Sequence, residues 1–476
     1  MKKYILCIIM LIACASCKKS ILELYPLTSG NVKDFYKSAT DFQYAVTALY
    51  GTLRAEGIVN EFEFGDLPTD DTYTAVGRSI QGDPDYDNLT VLPSTSAATT
   101  ILANRWNNCY VGINRANLII NQIDAAGIDA ALQKQYKGEA KFFRAFFYFT
   151  LVKTFGDVPL ITQVIETVSQ SYDYGRESKT KVYALIEQDL KDAIDLLPAT
   201  YTIANLGRVS SVSAKGMLGR LLLFQNKFAE AVPILKSAID APSTYGLLTT
   251  GYASIFANNN GGNKEILFAF QYSPAVLQQQ SGITNIFSQT NFPTQDIYNA
   301  FETGDLRRDI SIQGSPGTTG IVKKFIDNVT GQLGGVDFPV LRFADIILMY
   351  AECLNEAGDV TGALPYINQI RARAFGNTTR NYQNTNPAAA NTYVSGQIDL
   401  RSKILLERRL EFCFEGLRFW DLVRTNRFDI LNAYFAASKI MVNGKNLQIM
   451  DYQKLFPIPQ SILDVNPAKY TQNTGY

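Results

Sequence analysis

Glu407, Glu411 and Glu415 recur every four residues in "LLERRLEFCFEGLRFWDLVR" (405–424), so a helix places all three carboxylates on one face. Paired carboxylates are the working parts of a glycoside hydrolase, which holds them roughly 5 to 9.5 Å apart across the scissile bond. Neighbours on one helix face put about 5 to 6 Å between Cβ atoms but point the same way, and so flank no substrate. Arg408, Arg409, Arg418 and Arg424 lie in the same run and carry enough positive charge to satisfy the glutamates as ion pairs. Gly416 is placed to end the first helix and redirect the chain. The stretch is therefore expected to be a structural charge network, fixing geometry more than it adds stability.

The rest of the composition narrows the chemistry further. Histidine is absent, which removes the usual acid–base side chain near neutral pH and the commonest transition-metal ligand. Of six cysteines, Cys7, Cys14 and Cys17 crowd the first seventeen residues. Cys109, Cys353 and Cys413 sit in apolar helical runs with no metal-type spacing, and read as buried free thiols. No metal site, cofactor or catalytic residue is expected. Lys plus Arg and Asp plus Glu both number 44, so no net field draws the chain to nucleic acid.

The elements that must position any site are helical. "SATDFQYAVTALYGTLR", "WNNCYVGINRANLIINQI", "YKGEAKFFRAFFYFTLVKTFG" and "VYALIEQDLKDAIDLLP" all repeat apolar residues at three and four, the last stopping at Pro198. Two later stretches repeat each other. "SAKGMLGRLLLFQNKFAEAVPILKSAI" carries Leu218, Gly219, Ala231, Pro233 and Ala238, and "IILMYAECLNEAGDVTGALPYINQIRARA" carries Ala351, Ala363, Pro365 and Ile370 at matching offsets. The spacing is that of tetratricopeptide helix pairs, in which small residues let two antiparallel helices approach closely. Two polar, Gly- and Asn-rich inserts interrupt this scaffold, at about 57–99 and 243–340. Short strands are expected within the second, at "KEILFAFQY" and "GIVKKFI".

The N-terminus is an address. Lys2 and Lys3 precede an apolar run from Tyr4 to Ala13 that is too short to span a bilayer, so residues 1–16 read as a signal peptide. Ala15 and Ser16 before Cys17 resemble a bacterial lipobox, with Cys14 standing where leucine is usual. That makes Cys17 the expected lipidated first residue of a mature single domain, 17–476.

Several runs together resemble the SusD/RagB family of outer-membrane nutrient-binding lipoproteins: "RAFFYFTLVKTFGDVPLI", "RFADIILMYAECLNEAGD", "LLERRLEFCFEGLRFWDLVR" and "LFPIPQSILDVNPAKYTQNTGY". In the last, Pro457, Pro459, Asn466, Pro467, Asn473 and Gly475 stand in the family's order. The resemblance implies a mainly α, tetratricopeptide-like scaffold with long inserts, lipid-anchored at the outer membrane and exposed at the cell surface. It also implies a non-catalytic role, capturing oligosaccharide, or in some members peptide, for a SusC-like TonB-dependent transporter. Lys18 and Lys19 follow the cysteine where such lipoproteins often carry acids; Glu23 is the first acid here.

Sugar recognition needs flat aromatic faces and directional polar groups. Trp106 and Trp420, the two tryptophans, fall within helical motifs and read as core, which leaves the inserts. In the first, Tyr73 and Tyr86 stand among Asp70, Asp71, Arg78, Asp83 and Asp85; in the second, Tyr272, Phe287, Phe292 and Tyr298 are the candidates. Each could equally be a locally packed loop residue. A peptide-binding family member and, more remotely, a glycoside hydrolase or a periplasm-facing assembly factor are the competing readings.

Overall fold

Helix pairs form because their small residues permit contact. In a computed structural model, which describes residues 35–55, 61–74 and 100–476 with breaks at 166, 203–204, 242–244, 258–259, 274–282, 284–286, 288–290, 318, 327–333, 440 and 443–444, the described chain is mainly helical, as its periodicity predicts. Helix α1 (Ala39–Gly51) starts at a capping box in which Ser38 and Asp41 each bond the other's backbone N–H. A short α2 (Glu61–Asp66) leads into strand β1 (Thr72–Thr74). There follow α3 (Thr100–Ile123), α4 (Ala130–Phe155) and α5 (Lys179–Leu196), each packed on the next.

The two predicted tetratricopeptide units are both helix pairs: α6 (Ser211–Phe224) with α7 (Phe228–Ile239), and further on α9 (Phe343–Glu356) with α10 (Val360–Phe375). A Cβ on Gly219 would lie 2.3 Å from Leu235 Cδ2, so this residue has to be glycine for α6 and α7 to meet. Although a hundred residues separate the units, α7 packs directly on α9. The array is continuous in space and interrupted only in sequence.

The intervening insert supplies strands β2 (Ile266–Phe270) and β3 (Asn291–Pro293), the short helix α8 (Gln295–Ala300), and β4 (Phe338–Arg342). β2 and β4 pair antiparallel and are buried throughout. Phe268 of β2 meets Phe142, Phe143 and Phe146 of α4 edge to face, seating the sheet on the scaffold. The "GIVKKFI" patch is also a strand, Ile321–Val322, paired with Ile312–Gln313.

The signature stretch spans α11 (Gln397–Phe412) and α12 (Arg418–Arg424). Between them Gly416 takes φ +74°, and its backbone presses so closely on Gly65 that a Cβ on Gly65 would fall 1.9 Å from the Gly416 carbonyl oxygen. Only glycine tolerates both the backbone angle and the contact. Cys109, Cys353 and Cys413 are buried and free, as their apolar settings predict. Among the described residues no helix is long and apolar enough to cross a membrane, and no cluster of acids and thiols is grouped to hold a metal ion. Cys17 lies outside the described residues.

Candidate functional site

Glu407 and Glu411 share one buried helix face, as their spacing requires, but the helix stops at Phe412 and Glu415 lies in the turn beyond it, buried with them. The partners of all three also differ from the expectation. Glu411 is met by Arg373 Nη2 at 2.6 Å, Arg342 Nη1 at 2.9 Å and Arg307 Nη1 at 3.2 Å. Glu407 pairs with Arg307 and Arg371, and Glu415 with Arg342 and Lys324. Every one of these cations comes from outside 405–424. Arg408, Arg409, Arg418 and Arg424 do not satisfy the glutamates, because residues one position away on a helix point about 100° apart. Burial pushes the Glu411 carboxyl up, yet the Arg373, Arg342 and Arg307 charges outweigh it and hold its pKa at about 2. A carboxylate so engaged has no capacity left for acid or base work.

The arginines of the stretch reach into the first insert instead. Arg418 grips Asp70 with two bonds of 2.9 and 2.8 Å. Arg409 donates from Nε to Asp71 at 2.6 Å, and from Nη2 to the Asp70 carbonyl at 3.0 Å and to Asp296 of α8 at 2.7 Å. The Gly416 N–H bonds Asp66 at 2.9 Å. Division of labour results: glutamates of α11 and the turn after it bind Arg307, Lys324 and Arg342 of the second insert and its edge, while arginines and the turn bind Asp66, Asp70 and Asp71 of the first.

Asp70 and Asp71, expected beside a ligand, are 1% and 0% exposed and are committed to this frame. For Asp70, burial raises the pKa but Arg409 and Arg418 overcome it, leaving it at about 2. Asp71 is pushed up by burial in spite of Arg409. Two bonds from Thr294, its Oγ1–H to the Asp70 carbonyl at 2.6 Å and its N–H to the Asp71 carbonyl at 2.9 Å, lock the two inserts side by side.

Beyond this clamp, β1 and β3 pair antiparallel with Tyr73 opposite Phe292. Their rings lie 5.9 Å apart at 40°. Two candidates from different inserts, 219 positions apart in sequence, thus meet on one ladder. Tyr73 is partly exposed and Phe292 mostly buried. Tyr298 lies on α8, the helix that follows β3 directly, with the Arg308 guanidinium 5.3 Å from its ring centroid. Arg308 and Asp296 were not singled out from the sequence; no local pattern marks either.

The remaining candidates fall elsewhere. Phe287 is core, packed among Phe62, Phe325 and Phe414. Tyr272 sits just past β2, its N–H bonded to Asp337 Oδ1 at 2.8 Å. Burial raises the Asp337 carboxyl to about 6, partly offset by that bond. Trp106 and Trp420 are each 4% exposed and pack as core. Arg78, Asp83, Asp85 and Tyr86 lie outside the described residues.

Comparison with known proteins gives the frame a relative. The family described as "SusD family" matches residues 264–476, and the one described as "Starch-binding associating with outer membrane" matches 34–223. "SusD-like protein P38" of Formosa agariphila is 28% identical over 467 residues, spanning 87% of this chain and 88% of that protein. Among solved structures, a "Laminarin binding SusD-like protein" superposes with a TM-score of 0.76 at 25% identity, covering 93% of this chain and all of that one. "Surface glycan-binding protein A" from Bacteroides thetaiotaomicron, solved in complex with laminarihexaose, superposes at 0.75 with 19% identity, covering 92% and 100%. With the ordered motifs, the interrupted helix-pair scaffold and these matches to both halves in agreement, the chain belongs to the SusD/RagB family.

Proposed function

We propose that this protein is a non-catalytic, cell-surface glycan-binding lipoprotein, anchored through Cys17, which passes oligosaccharide to a SusC-like TonB-dependent outer-membrane transporter. The observation that carries the binding part is the Tyr73–Phe292 ring pair. It is built from two inserts that Arg409 joins through Asp71 and Asp296, with Tyr298 on the helix that follows β3, and aromatic faces beside polar side chains suit a sugar ring. Family relatives that bind laminarin and laminarihexaose support the same ligand class. The signature carboxylates are neutralised by cations in the core, which favours capture over cleavage.

Calorimetry against a panel of glycans, laminarin oligosaccharides included, and of peptides tests this, with product analysis of each mixture. Glycan binding without turnover is the expected result. Turnover of a glycan would make the protein a hydrolase, and affinity for peptides alone would make it a peptide receptor. Mass spectrometry of the membrane fraction should find Cys17 acylated, and protease treatment of intact cells should shave the domain. Copurification with the transporter from solubilised membranes tests the partner.

A further inference from the structure

A cavity of about 30 Å³ lies where five helices converge, lined by Lys153 of α4, Arg220 of α6, Met349 of α9, Arg408 of α11 and Trp420 and Asp421 of α12 among others. That volume takes one water or one monatomic ion, and excludes a sugar or an oxyanion such as sulfate. Four of the lining side chains are cations, Lys153, Arg220, Arg408 and Arg424, against one carboxylate, Asp421. None of the four is more than 15% exposed, so water screens them poorly.

Each cation has an acid: Lys153 bonds Glu61, Arg220 and Arg408 share Asp345, and Arg424 holds Glu352. These pairings do not use every donor. Arg220 spends Nε and Nη2 on Asp345 and the Val340 carbonyl, and Arg408 spends Nε on Asp421 and Nη1 on Asp345. That leaves Nη1 of Arg220 and Nη2 of Arg408 without an acceptor among the described residues. The buried Nε1–H of Trp420 has none either, and a buried donor in this condition calls for a bound water or ion. The acceptors are in the opposite state, since Asp421 Oδ2 already takes Arg408 Nε and its Oδ1 takes Arg424 Nε, both at 2.8 Å. A water here meets three donors and no free carboxylate for its own hydrogens, whereas an anion accepts from all three and donates nothing.

The local field agrees. Burial drives the Lys153 ammonium down to about 8; Glu61 raises it, and the Arg105 and Arg220 charges push it down again. An adjoining cavity of about 20 Å³ shares Lys153 and Arg220 but adds Glu61 and Glu415 to its wall, and so suits water. We infer that the first cavity binds one halide ion of chloride size, held by Trp420 Nε1–H, Arg220 Nη1 and Arg408 Nη2. Both helix-pair units and both signature helices meet at this ion, so its occupancy ties the scaffold to the frame. None of Tyr73, Phe292 and Tyr298 lines the cavity, which makes the site independent of the glycan reading.

The test uses the full mature chain, made soluble by Cys17→Ser, with bromide as the probe. Crystals grown in sodium bromide are measured at the bromine absorption edge. An anomalous peak within hydrogen-bond reach of Trp420 Nε1 is expected; a scatterer without anomalous signal, which is a water, or an empty cavity would overturn the proposal. In solution, Trp106→Phe leaves Trp420 as the one tryptophan. Bromide should quench its emission saturably, with half the effect reached below about 0.15 M, the physiological ionic strength, and chloride should compete. Quenching that rises linearly with bromide, or saturates only at crystallisation concentrations, counts against the site. Arg220→Met in the same background, its fold checked by melting, should raise the half-effect concentration roughly tenfold through loss of one charged donor; an unchanged value would sink the assignment.

Discussion

The Nε of Arg409 lies 2.6 Å from Oδ1 of Asp71, a bond that joins the signature helix to a loop 338 positions earlier in the chain. The same guanidinium reaches Asp296 in the second insert. One side chain therefore sets the distance between the two loops that carry Tyr73 and Phe292.

Arg409→Met should cost roughly 3–5 kcal/mol of unfolding free energy, because it strands Asp71 as a buried charge without its cation. Adding Asp71→Asn should recover part of the loss, and urea denaturation of the single and double variants measures both. Arg409→Lys should behave more like Met than like the parent, since a point ammonium cannot reproduce the fork that spans three acidic residues.

Glu411→Ala should lower thermal stability before it lowers affinity. It leaves Arg373 and Arg342 facing an empty buried site, at a cost again of roughly 3–5 kcal/mol. Glycan affinity measured well below the new melting point should match the parent. Unchanged melting together with lost affinity would move the binding site to this helix.

Acid should loosen the frame and alkali should load a different point. Glu411 and Asp70 both have folded pKa values of about 2, below their usual range. Their contribution is complete above about pH 4 and is lost as the pH falls through 2. Asp337 runs the other way: with its folded value at about 6, the stability it lends is complete below about pH 4 and lost as the pH rises through 6. Asp337→Asn keeps an acceptor for the Tyr272 N–H, and so should stabilise the protein at pH 8 by about 1–3 kcal/mol relative to its effect at pH 4. Denaturation at the two pH values reads the difference.

Tyr73→Ala and Tyr298→Ala should each weaken glycan binding by about 0.5–1.5 kcal/mol, the scale of one aromatic contact, with little change in melting. Tyr272→Ala, at the end of β2, should leave affinity unchanged. Calorimetry on the three variants separates the ladder from the other tyrosines.

The helix pairs were legible because their cause is local. Gly219, Ala231 and Pro233 announce a close antiparallel contact within thirty residues, and the matching Ala351, Ala363 and Pro365 repeat it. The structural role of Glu407 and Glu411 was legible too, since period and charge sufficed, whereas Glu415 lies in the turn beyond the helix, where period no longer applies. Their partners were not. Arg307, Lys324 and Arg342 are remote in sequence, and Asp70 and Asp71 looked like ligand groups because a solvated acid and an acid awaiting a distant arginine read alike. The meeting of Tyr73 with Phe292 has no sequence signal beyond their membership of two polar inserts, since strand register between segments so far apart is set by the clamp behind them.

That clamp grips acids at 70, 71 and 296, side chains distinct from the rings at 73, 292 and 298. On the proposed glycan reading, specificity and architecture are thus written in separate residues. A designer could exchange the rings for side chains suited to another polymer while keeping the anchoring acids, and retarget the receptor without rebuilding the fold. The same separation would let descendants of one gene diversify in diet while sharing an unchanged signature helix.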